Sequence, residues 1–239
     1  WDPFPKLGTQ PAPRKGLHNS GWVQSPGLEA LKDSTQHPRL EAYVKGTVRA
    51  FAHDERVLGW DIWNEPDNTN DNAYGKVELP NKANYVLPLM KKAFGWARAE
   101  SPTQPLTVGL WAGDWTSYET LKPIEKLSVD ESDVISFHNY DNAVEFEKRI
   151  KQLQQYKRPI LCTEYMSRGN GSFFEGSLPI AKKYNVAAIN WGLVDGKSQT
   201  KYPWDSWKKP YDNEPALWFH DVFRKDGTAY KQAEVDLIK

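Results

Sequence analysis

The sequence holds a single cysteine, Cys162, among 239 residues. That rules out an internal disulfide framework and a zinc site built on cysteines. An excess of either charge is also missing, since 31 basic residues stand against 31 acidic ones. No electrostatic footprint therefore points to nucleic acid or an anionic membrane. No apolar run approaches the ~20 residues that a membrane-crossing helix needs. The stretch from Trp1 to Pro5 lacks the basic start and apolar core of an export signal, so any such signal is expected further upstream. Neither a GxGxxG nor a P-loop pattern follows any candidate strand, and no cofactor is implied. The polar run at 67–72 does not carry the ligand spacing of a calcium loop, so no metal is expected there.

Aromatic residues, by contrast, are abundant: 11 Trp, 11 Tyr and 9 Phe. Many rings simply fill cores, but flat indoles also pair with the apolar faces of pyranoses, and this number favours a sugar-binding cleft. Trp204 and Trp207 are candidate platforms, with core packing as the alternative.

Residues 1–36 are dense in proline and glycine and read as one long loop. A helix is expected from about 38, where Leu40, Tyr43, Val44, Thr47, Val48 and Phe51 share one face. Strands are then expected at 57–63, 106–111, 134–139, 159–164 and 186–191. Helices are expected between them at 82–100, 116–128, 142–157 and 173–184, and a last one at 214–225. Alternation at this spacing predicts an α/β domain with a parallel sheet and helices outside.

Chemistry-bearing residues gather where these strands end. The ends read Trp63-Asn64-Glu65-Pro66, Trp111-Ala112-Gly113-Asp114, His138-Asn139-Tyr140, Thr163-Glu164-Tyr165 and Asn190-Trp191. Function in parallel α/β architectures sits at C-terminal strand ends. Two carboxyl groups ~5–5.5 Å apart suit glycoside hydrolysis with retention. Period-2 alternation would put Asp61, Trp63 and Glu65 on one strand face, and Ile160, Cys162 and Glu164 on one face of theirs. Asp61 is expected to form a buried structural pair, because an unpaired charge there is costly.

Trp-Asn-Glu-Pro at 63–66 and Thr-Glu-Tyr at 163–165, with His138, Tyr140 and Trp191 in order, resemble the clan of retaining glycosidases that includes family 5 cellulases and mannanases. The resemblance implies a (β/α)8 TIM barrel with Glu65 as acid/base and Glu164 as nucleophile. It also implies that Asn64 binds the sugar 2-hydroxyl, that His138 and Tyr140 orient the carboxylates, and that Trp191 forms the sugar floor. The arginine that the clan places beside the nucleophile has no counterpart here. Glu65, expected on strand four, comes too early for three preceding strands, so strands four to eight are expected, with the first three lacking. An upstream segment or a partner chain, self-association included, would then complete the barrel. The expected substrate is a β-linked glycan, and the expected location is secreted or periplasmic. A catalytically inactive glycan-binding barrel and a metal-dependent barrel hydrolase are the competing functions. The second lacks a His-x-His pair.

Overall fold

The computed structural model describes residues 1–239. Its elements run α1 (Leu28–Lys32), α2 (His37–Phe51), β1 (Trp60–Asp61), α3 (Ala83–Arg98), β2 (Leu106–Thr107) and α4 (Pro123–Glu131). They continue with β3 (Ile135–Asn139), α5 (Ala143–Leu153), β4 (Ile160–Tyr165), α6 (Phe174–Tyr184), β5 (Ala187–Asn190) and α7 (Gln232–Ile238). Every strand pairing is parallel: β1 with β2, β3 with β4, and β4 with β5. A bridge between Leu110 and Phe137 joins the two groups, so five strands follow one another in chain order. They do not close: β2 is the only strand paired with β1, and β4 the only one paired with β5.

Two hydrophobic clusters hold the helices to this arc. In one, α3 buries Val86, Leu89, Met90, Ala93, Phe94 and Ala97, the stripe its 3.6-residue spacing dictates, beside Leu106 and Val108. In the other, Phe146 and Ile150 of α5 meet Ile135, Phe137, Ile160 and Cys162 on the outer face of β3 and β4. The apolar stripe of α2 is only partly covered. Leu40 and Val48 are buried, while Tyr43 is 66% exposed.

Three expectations need correction. The helix expected at 116–128 starts at Pro123, where the fixed φ of proline suits the first turn and Glu125 caps the backbone N–H of Lys122 at 2.7 Å. Residues 214–225 form no helix. Their apolar side chains lie in irregular, bridged backbone, with Val194 paired to Phe223 and Phe223 to Ala229, and the last helix is α7. The 1–36 region is mostly loop, as its composition suggests, but α1 and a bridge between Asp2 and Val23 interrupt it.

Candidate active site

Strand β4 does not alternate evenly. Phe137 pairs with Cys162 but His138 pairs with Glu164, so Thr163 is an extra, bulged residue. A bulge reverses the side-chain order beyond it. Ile160, Cys162 and Tyr165 therefore join the outer core, and Glu164 turns inward opposite His138. The expected shared face of Ile160, Cys162 and Glu164 is overturned by that single residue.

Glu65 lies past the end of β1, where the backbone adopts a left-handed φ of 43°. It and Glu164 are each 9% exposed. His138 Nδ1 lies 2.8 Å from Glu65 Oε1 and 3.5 Å from Glu164 Oε2, so the imidazole spans the pair. Gly109 makes room for that ring, since a Cβ there would stand 3.1 Å from Nε2. The Tyr140 hydroxyl donates to Glu164 Oε2 at 2.6 Å. Asn68 Nδ2 donates to Glu65 Oε2 at 2.5 Å.

Burial pushes the Glu164 carboxyl up to about 7, against the opposing pull of His138. Burial alone would lower His138, but its bond to Glu65 and the field of Glu164 raise it above the ordinary histidine value. Burial and Glu164 hold the Tyr140 phenol well above its usual range, so it stays a donor.

Asp61 does not form the expected pair. Its nearest partner is the Trp63 backbone N–H at 3.3 Å. It remains open to solvent in the concave mouth, yet protein crowds it on most sides, and that crowding lifts its carboxyl to about 6. Asp114 also lies apart from the site: it is exposed and accepts from the Thr116 backbone and hydroxyl. Trp111 faces the cleft in its place and donates to Asp67 at 2.7 Å.

The cleft has a volume of about 870 Å³. Asn64, Tyr140, Trp191 and Trp204 all line it with the two glutamates. Trp191 meets Trp22 at 5.3 Å between ring centroids, and Trp204 stands edge-on to Tyr140 at 5.3 Å. The face of Trp207 is partly occupied by the Arg14 guanidinium at 5.0 Å. Sequence reasoning missed Trp22, His18 and Lys82, which reach this cleft from the loop before α1 and the start of α3. Asn68 was within sight, inside the polar run at 67–72, but only the fold brings it back onto Glu65.

Glu65, His138 and Glu164 bring ligand-capable atoms within 4.8 Å of one another, compact enough to surround a cation. Hydrogen bonds from Tyr140, Asn68 and His138 already engage those atoms. What the arrangement offers chemically is a facing carboxyl pair with one proton-carrying ring between them, at the open end of a parallel α/β arc. Such a mouth, walled by tryptophan, lies where parallel α/β folds carry their chemistry.

The family model for cellulase (glycosyl hydrolase family 5) matches residues 16–209, and the chain belongs to that family. An endo-β-1,4-mannanase from Thermotoga petrophila superposes with a TM-score of 0.56 at 14% identity, covering 88% of this chain and 50% of that one. Fungal β-1,4-galactanases give 0.52 at 12% identity, with 83% and 67% covered. A β-galactosidase from the psychrophilic Marinomonas ef1 gives 0.53 at 10%, with 87% and 42% covered. At these identities the likeness is one of fold. The chain spans about half to two thirds of the length of the first structures it matches. No curated protein matches it by sequence.

Proposed function

We propose that this chain carries the catalytic mouth of a retaining glycosidase acting on β-linked glycans. The observation that carries this reading is the carboxyl pair, whose facing oxygens lie within 4.8 Å. That closeness is in keeping with the ~5–5.5 Å separation of a double displacement.

Glu164 attacks the anomeric carbon while Glu65, as general acid, gives a proton to the departing glycosidic oxygen. Glu65, now ionised, takes a proton from water, whose oxygen attacks the same carbon and releases Glu164. Tyr140 holds the nucleophile through its 2.6 Å bond. His138 spans the two carboxyls and passes charge changes between them. Asn64 is assigned to the sugar 2-hydroxyl, Trp191 to the floor beneath the sugar, and Trp204 to an adjoining sugar. Glu164→Gln is expected to lose several orders of magnitude in turnover while still folding, because the amide fills the same space but cannot act as nucleophile. Activity above a tenth of wild type on any β-glycan would reassign the nucleophile.

Further strands, from an upstream segment or a partner chain, are proposed to continue the sheet into a closed barrel. The unpaired sides of β1 and β5 support this. So do Leu58 at 72% exposed and Leu193 at 59%. One observation favours the second reading, a glycan-binding barrel without turnover, for the chain by itself. Glu164 has no lysine or arginine beside it, and a nucleophile raised to about 7 is half protonated at neutral pH. Trapping with a fluoro-sugar inactivator separates the two: covalent labelling of Glu164 supports the enzyme, while glycan binding without labelling supports the binder.

A further inference from the structure

The acid/base carboxyl is approached by a second line of polar groups that the roles above leave unused. After the left-handed turn at Glu65, the chain folds back so that Asn68 lies beneath the carboxyl and donates to Oε2 at 2.5 Å. Asn68 is itself fixed at three further points. Its backbone N–H donates to the Glu65 carbonyl at 3.0 Å, its Oδ1 accepts from the Asn70 N–H at 2.7 Å, and its carbonyl accepts from Lys82 Nζ at 2.8 Å.

Lys82 is only 4% exposed, an expensive place for an ammonium group. All three of its donors are met, by Asn68, by Glu78 Oε2 at 2.8 Å and by Gln24 Oε1 at 2.7 Å. A buried ammonium with these acceptors fixes the Asn68 backbone from below, while His138 holds Glu65 Oε1 from the other side. The terminal torsion of a glutamate is ordinarily broad. Here both carboxyl oxygens are tied.

We propose that Asn68 is a positioning residue for proton delivery by Glu65, with Lys82 as the pin that keeps Asn68 in place. This rests on Glu65 being the acid/base of the proposed function. The proton on Glu65 has to reach the leaving oxygen along a fixed line. A displacement of about 1 Å is enough to cost on the order of 100-fold in rate. Freeing one oxygen therefore penalises substrates whose leaving group needs that proton and spares those whose leaving group departs without it.

The test compares kcat/KM of the full chain on two sets of β-glycosides of glucose, mannose and galactose: oligosaccharides, and dinitrophenyl glycosides that need no acid. Asn68→Ala is expected to lose about 100-fold on the oligosaccharides and less than about threefold on the dinitrophenyl set. Lys82→Met is expected to show the same split at smaller size. Equal losses on both sets, with an active wild type, overturn this role alone. A wild-type chain inert to the whole panel supports the glycan-binding reading of the chain by itself and overturns this role, which needs Glu65 to deliver a proton. The hydrogen bond is read without turnover from the side-chain amide signal of Asn68 in ¹⁵N-labelled protein. Glu65→Ala should displace that signal, and an unmoved signal overturns the inference even if the kinetic split is seen.

Discussion

At the scale of single residues, Glu164 links function to stability. Its carboxyl titrates at 4.5 in an ordinary environment and at about 7 when folded. Between those values the folded protein holds a proton that the unfolded chain has lost. The associated stability is therefore present below about pH 4.5 and lost as the pH rises through 7. His138, raised above 6.5, contributes in the same direction, and its share is lost as the pH rises through that raised value. Glu164→Gln removes the first contribution. Thermal melts should show the variant more stable than wild type near pH 8, with the gap closing toward pH 4.5. A constant gap would mean that the carboxyl is not raised. The same titration predicts that fluoro-sugar labelling of Glu164 climbs with pH up to about 7, since the carboxyl attacks only when ionised.

At the scale of elements, the helices were legible because their apolar stripes are long and periodic. The buried face of α3 could be read residue by residue. The strands were located but not bounded: β1 and β2 are two residues each, because pairing ends where the chain turns into the mouth. The bulge at Thr163 was invisible, since a period-2 reading has no means of skipping a residue. The error at 214–225 has a different cause: Trp218, Phe219 and Val222 stand at helical spacing, but residues 218–222 are all buried in irregular backbone, His220 and Asp221 included. The two glutamates were singled out by their neighbours in sequence, whereas Asn68 and Lys82 come into view only through a turn and a buried ammonium.

Thr163 also carries a buried hydroxyl with no partner. Thr163→Val should leave activity unchanged and raise stability by about 1 kcal/mol, because it removes an unpaired polar group at constant shape. Deleting Thr163 should likewise keep fluoro-sugar labelling, because Cys162 and Glu164 then follow one another opposite Phe137 and His138 and regular alternation still turns Glu164 inward. Labelling lost in the deletion would show that Thr163 is not simply an extra residue in the ladder.

At the scale of the whole molecule, the open arc presents unpaired strand sides and exposed apolar residues such as Leu58, Ile189 and Leu193. Unpaired edges recruit other strands. The isolated chain is expected to self-associate with rising concentration in sedimentation experiments, and Ile189→Lys is expected to weaken this by charging the β5 edge. A single monomeric species at every concentration would argue that the edges are covered in some other way.

The loop before α1 has one further consequence. Trp22 rides on it and meets Trp191 with the rings tilted by 58°. Two indoles so close and so inclined share their electronic excitation, and the sign and strength of that coupling follow their mutual angle. The cleft thus carries its own chiroptical gauge: any sugar or chain segment that slides between the rings, or lifts the loop away, rewrites the circular dichroism of the protein without an added label.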